Sequence, residues 1–85
     1  MTENKIKFYG VVWCGDCTRS KRYLKQHEIA YDYIDVDEDA EGLEFVKSVN
    51  SGRRIVPTIL FPDGDTLVEP TNVELGTKLG IISSA

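Results

Sequence analysis

The chain is short of basic charge, cysteine, histidine and long apolar runs, and each shortage excludes a class of protein. Ten Lys and Arg stand against fourteen Asp and Glu, a net charge of −4. Sequence-independent binding of nucleic acid needs a basic surface, so no nucleic-acid partner is expected. The two cysteines are too few for the several bridges of a small secreted scaffold. One His and one Met are the other soft donors, so a four-ligand zinc site within one chain is not expected, and no resident metal is assigned. No apolar run approaches the roughly 20 residues of a membrane-spanning helix, so no membrane partner is expected. The opening residues MTENKIKFYG lack the apolar stretch of a targeting peptide. The expectation is a cytoplasmic protein. In a reducing compartment a lone cysteine pair is more often catalytic or metal-binding than structural.

What is present is enough for one small domain. The 85 residues are read as a single domain over 1–85, with a modest core that can stand alone, and as a monomer. Charge is unevenly spread. Asp32, Asp35, Asp37, Glu38, Asp39, Glu41 and Glu44 fall in one stretch without a base, so it carries −7 and the remainder +3. Arg19, Lys21, Arg22 and Lys25 crowd together just after the cysteine pair. The fold is expected to place the acidic stretch away from Cys14 and to leave the cysteine helix basic.

Periodicity and punctuation give the elements. Lys5 to Tyr9 alternates and reads as a strand, closed by Gly10. Asp16 to about Glu28 has no Gly or Pro, and Cys17, Ser20, Leu24 and His27 share one helical face, with His27 a partly buried helix-end residue. Tyr31 to Val36 is β-branched and aromatic, a strand with both faces partly covered. Asp39 can cap a helix to about Val49 with Leu43, Phe45, Val46 and Val49 inward. Thr58 to Phe61 reads as a buried strand, Pro62-Asp63-Gly64-Asp65 as a hairpin turn, and Thr66 to Val68 as the return strand. Thr71 or Asn72 then caps a helix to about Leu79, with Val73, Leu75 and Leu79 available for burial and Gly80 as C-cap. The order β-α-β-α-β-β-α predicts an α/β fold. Its opening pair is parallel with a right-handed crossover, and its closing hairpin supplies antiparallel edge strands.

Trp13-Cys14-Gly15-Asp16-Cys17 lies where the first strand region meets the first helix. A C-x-x-C at a helix start brings two sulfurs within bridging reach. Cys14 sits beside the unpaired N–H groups of the first turn, which favour the nucleophilic thiolate. Cys17, a turn further in, suits a resolving thiol. The adjacent Asp16 opposes the thiolate, and Arg19, Lys21 and Arg22 partly offset it. The alternative reading is a carrier of metal or of an iron–sulfur cluster, with Cys14 and a small thiol as ligands across two chains. Trp13 is either an apolar flank of the turn or part of a substrate surface. Val56-Pro57 marks the opening of the third strand, where Pro is tolerated. By base rate alone that bond would be trans.

Together these features resemble the glutaredoxin family of the thioredoxin fold, over about Lys5 to Leu79. Trp13-Cys14-Gly15-x-Cys17, Ile29-Ala30-Tyr31-Asp32, Glu44-Phe45-Val46-x-Ser48-Val49-Asn50, Arg54-x-Val56-Pro57-Thr58 and Asp63-Gly64-x-Thr66-Leu67 look like its mycoredoxin group. The resemblance implies a thiol–disulfide oxidoreductase that reduces protein disulfides, or mixed disulfides with a low-molecular-weight thiol. Cys14 would be the nucleophile and Cys17 the resolving thiol. It implies a cis bond at Val56-Pro57, with the Val56 backbone free to pair with substrate as an added strand. It also implies a thiol-binding surface made of Trp13, Gly15, Asp16, Arg54, Val56, Pro57, Thr71 and Asn72. Arg54 would meet a carboxylate of the thiol, and Thr71 and Asn72 its other end at a helix N-terminus. No bound cofactor is implied. The co-substrate would be a low-molecular-weight thiol such as glutathione or mycothiol, and the partners would be disulfide-containing proteins. A thiol or a thioredoxin-reductase-type reductant would supply the electrons. Gly10-Val11-Val12 stands where glutathione-using members often carry Lys, and Glu69-Pro70-Thr71-Asn72 where they often carry Gly-Gly. Asp16 stands where mycoredoxins carry an aromatic residue. The sequence leaves the identity of the thiol open.

Overall fold

The structure is a computed structural model and describes residues 5–82. Four strands form one sheet in the order β2-β1-β3-β4. They are β1 (Ile6–Gly10), β2 (Tyr31–Asp35), β3 (Thr58–Leu60) and β4 (Thr66–Val68). β1 pairs parallel with β2, with Phe8 opposite Tyr33, and antiparallel with β3, with Phe8 opposite Ile59. β3 pairs antiparallel with β4, with Ile59 opposite Leu67. The mixed four-stranded sheet expected from the element order is present. The hairpin, however, has only one edge strand: β3 pairs on both sides and only β4 lies at the margin.

The period-2 alternation of the strands divides the core between the two faces of the sheet. Ile6, Phe8, Ile59 and Phe61 pack on one face with Cys17 and Leu24 of α1 (Gly15–Gln26) and Leu75 of α3 (Asn72–Leu79). Tyr9, Val11 and Val36 pack on the other with Val46 of α2 (Ala40–Val49). β2 follows the same rule: Tyr31 and Tyr33 join the first cluster and Ile34 the second. Its irregular apolar pattern therefore reflects a strand half-covered on both faces.

The helix ends obey local rules. The Asp39 carboxylate accepts from the N–H of Gly42 at 3.1 Å and caps α2. Thr71 caps α3 in a reciprocal box with Glu74, and Gly80 closes it with φ 78°. Three expected burials do not occur. Val73 is 63% exposed, because two residues from the buried Leu75 is about 200° around a helix. Val49, the last residue of α2, is 40% exposed. His27 is exposed as the C-cap of α1, where the chain leaves helical geometry, and its ring lies 4.5 Å from that of Tyr23.

Candidate active site

Two parallel strands and the loops that follow them build the site. β1 ends at Gly10, and the chain passes through buried Val11 to Val12 and Trp13, both 68% exposed. It then turns into α1, with Cys14 in extended geometry as the N-cap. That position aims the first-turn donors of the helix at the Cys14 sulfur. The N–H of Cys17 donates to Cys14 Sγ at 3.3 Å, so the sulfur takes the role a Ser or Asp oxygen plays in an ordinary cap. Both cysteines are free thiols.

The two sulfurs sit in different surroundings. Cys14 is half-buried, and Cys17 is 0% exposed, packed among Phe8, Leu24 and Ile59. Burial pushes the Cys17 thiol up to about 12, and the hydrogen bond and negative charge of Cys14 add to that push. A hydrogen bond with the Val11 backbone and the charge of Lys21 pull the other way. Lys21 is held on this side by Tyr33, its Nζ 4.1 Å above the ring centre. One thiol is thus accessible and supported by a helix N-terminus, and the other is kept neutral until something draws off its proton.

The remaining predicted residues fall in two groups, one on the approach to β3 and one joining α1 to α3. In the first, the Val56-Pro57 bond is cis, as the resemblance implies. Val56 packs with Cys14 against both core clusters and stands just outside the β1–β3 ladder, whose register begins at Thr58. Arg54, shortly before it, lies 5.5 Å from the Trp13 ring centre in cation–π geometry. In the second group, Gly15 is the exposed first residue of α1, and Asp16 Oδ1 lies 3.5 Å from Arg19 Nη2. Arg19 also donates to Asn72 Oδ1 at 2.7 Å and to the Pro70 carbonyl at 3.1 Å, tying α1 to the start of α3. The Thr71 hydroxyl accepts from the Glu74 N–H at 3.1 Å, and the Thr71 N–H donates to the Glu74 carboxylate at 2.9 Å.

One residue of the site escaped the sequence reading. Asp37 accepts from Trp13 Nε1 at 3.0 Å through one oxygen and from Arg54 Nη2 at 2.7 Å through the other. Those two bonds, that of Arg54 foremost, hold its carboxyl below the usual carboxylate range. The acidic stretch therefore does not lie wholly away from Cys14. The signal was topological: parallel strands β1 and β2 end at the same edge of the sheet, so the loops after Gly10 and after Asp35 must meet. The sequence places Arg19 on the basic helix and opposite Asp16, but gives no signal of its bridge to Asn72.

Among the described residues, no group of three or more His, Cys, Asp or Glu side chains is placed to hold a metal ion. Nor is any helix long and apolar enough to cross a membrane. A cavity of about 360 Å³, lined by Ile6, Ile29, Phe61 and Leu79 among others, opens at the far end of β1 from Cys14.

Known proteins resemble this chain in sequence and in fold. The Glutaredoxin family model matches residues 6–66. A Mycobacterium tuberculosis protein named provisionally as a glutaredoxin is 45% identical over 74 residues, covering 87% of this chain and 88% of that protein. Mycoredoxin 1 of Corynebacterium glutamicum is 41% identical over 76 residues, covering 89% and 94%. Among solved structures, the glutaredoxin of Methanosarcina mazei superposes with a TM-score of 0.74 at 28% identity, covering 91% of this chain and 79% of that one. A mutant of a thioredoxin-like protein gives a TM-score of 0.82 at 26% identity, covering 94% and 100%. The fold is thioredoxin-like. With a family match over most of the chain and relatives above 40% identity, the chain belongs to the glutaredoxin family of thiol–disulfide oxidoreductases.

Proposed function

We propose that this protein is a dithiol oxidoreductase working through Cys14 and Cys17 on mixed disulfides between proteins and a low-molecular-weight thiol, and on protein disulfides. The observation that carries the reading is the Cys17 N–H aimed at Cys14 Sγ at 3.3 Å, at the start of a helix and beside an exposed tryptophan. The Cys14 thiolate attacks the sulfur of the small thiol in the mixed disulfide. A new S–S bond forms at Cys14, the old one breaks, and the protein sulfur leaves as a thiolate that takes up a proton.

Two routes then clear Cys14. A second small-thiol thiolate can attack the adduct and leave with the first as a symmetric disulfide. Alternatively Cys17 loses its proton and attacks Cys14 Sγ, the small thiol departs and is protonated, and a Cys14–Cys17 disulfide remains. Its two electrons are restored by small thiols or by a thioredoxin-reductase-type reductant. Forming the adduct removes the Cys14 charge, one of the pushes that keep the proton on Cys17, while burial remains.

The substrate surface in this reading is Trp13, Gly15, Asp16, Arg54, Val56, Pro57, Thr71 and Asn72. Val56 supports strand-like pairing with a peptide, because it stands beyond the end of the β1–β3 ladder. The mycoredoxin and glutaredoxin names of the relatives support a low-molecular-weight thiol as co-substrate. The reading takes 1–85 as one cytoplasmic, monomeric domain with no bound cofactor. The test is a peptide carrying a small thiol in disulfide linkage, presented to the pre-reduced protein. Cys14→Ser should abolish release of the peptide thiol. Cys17→Ser should retain the first step and accumulate the Cys14 adduct, seen as a mass increase of one small thiol. An active Cys14→Ser variant would sink the assignment.

A further inference from the structure

Asp37 is bonded at once to Trp13, which precedes the nucleophile in the chain, and to the guanidinium of Arg54. Its two oxygens are divided, one on Trp13 Nε1 at 3.0 Å and one on Arg54 Nη2 at 2.7 Å. Arg54 in turn lies over the Trp13 ring. The three side chains close a triangle that spans the loops after β1 and β2 and the approach to β3. A guanidinium at such a place is the natural partner for a carboxylate, which it can take with paired N–H donors. Here a carboxylate of the chain itself is already in contact with it.

We propose that Asp37 is a specificity-determining residue: by occupying Arg54 it disfavours small thiols that present a carboxylate there, relative to thiols that carry none. This rests on the function proposed above and adds to it the charge class that the site discriminates. A carboxylate-bearing thiol must either displace the Asp37 oxygen from Arg54 or share the guanidinium with a like charge. A neutral thiol meets neither cost. Asp37 does not touch the reacting sulfur in this scheme and acts through Arg54. The pair is partly exposed, at 34% for Arg54 and 42% for Asp37, so the discrimination is modest.

The experiment compares two peptide mixed disulfides, one carrying glutathione with its two carboxylates and one carrying uncharged 2-mercaptoethanol. Half-saturation concentrations are taken from single-turnover reaction with the pre-reduced protein. Asp37→Asn removes the charge and leaves a single acceptor oxygen, enough for Trp13 or Arg54 but not both in the present geometry. It should lower the ratio of the glutathione value to the 2-mercaptoethanol value by about two- to fivefold, the range for an exposed ion pair. In an Arg54→Ala background the same substitution should leave the ratio where Arg54→Ala alone put it.

An unchanged or raised ratio in Asp37→Asn would overturn the proposal, and so would a full-sized effect in the Arg54→Ala background, since Asp37 would then act by bare charge. If the wild-type protein released thiol from neither peptide, the proposed function would fail instead. That outcome is distinct from the loss of discrimination alone.

Discussion

Gly10 faces Cys17 so closely that a Cβ at position 10 would stand 2.9 Å from the Cys17 sulfur and 3.0 Å from a ring carbon of Phe8. The last residue of β1 and the buried thiol of α1 are thus fitted to each other, and helix α1 can lie flat on the sheet. Gly10→Ala must push the sulfur, the ring or the helix aside. Overpacking of this kind costs roughly 1–3 kcal/mol. Urea unfolding of the reduced variant should show that loss, and an unchanged midpoint would mean that the contact relaxes freely.

Unequal burial of the two thiols should show in alkylation. Treated with iodoacetamide between about pH 7 and 9, the reduced native protein should take one adduct per chain, on Cys14. Cys17 should react only when the protein is unfolded or as the pH nears about 12. The direction follows from the raised value: above about 8.5 the unfolded thiol has lost its proton while the folded one still holds it. Stability from this group is therefore complete below the unfolded value and is lost as pH rises through the folded one. Two adducts per native chain at neutral pH, located by mass spectrometry, would contradict the burial argument.

The Asp37 carboxyl should ionise at unusually low pH, because Arg54 and Trp13 both bond its charged form. Trp13 is the single tryptophan, so its emission reports on the neighbourhood of Asp37. The midpoint of the emission change should lie below the usual carboxylate range, and Arg54→Ala should raise it. Any stability the bonds give is present above the unfolded carboxylate value and is lost as pH falls through the folded one. A midpoint unmoved by Arg54→Ala would show that the ion pair does not persist in solution.

Thr71 holds the start of α3 through both halves of a capping box. Thr71→Ala removes one of the two bonds and should cost about 0.5–2 kcal/mol, while Thr71→Ser should cost less. Differential unfolding of the two variants measures it. Equal stabilities would show that α3 is held by Leu75 packing and not by its cap.

The sequence by itself determined what is local. Strand alternation, the capping residues Asp39, Thr71 and Gly80, and the hairpin at Pro62 to Asp65 are each decided within a few neighbouring residues, and the elements appear where those signals lie. The C-x-x-C named the site because four residues at a helix start are enough to bring Cys17 N–H to Cys14 Sγ. Tertiary structure decided everything that depends on which ends of the sheet meet. Asp37 was one acid among seven in a stretch, and only the parallel pairing of β1 with β2 carries it to Trp13 and Arg54. Arg19 reaches Asn72 across 53 positions for the same kind of reason. The packing of Leu75 fixes the rotation of α3 and turns Val73 to the surface. Periodicity records the face an element can bury. The partner that covers that face, and the loops brought together at the sheet's edge, follow from the closing of the whole chain.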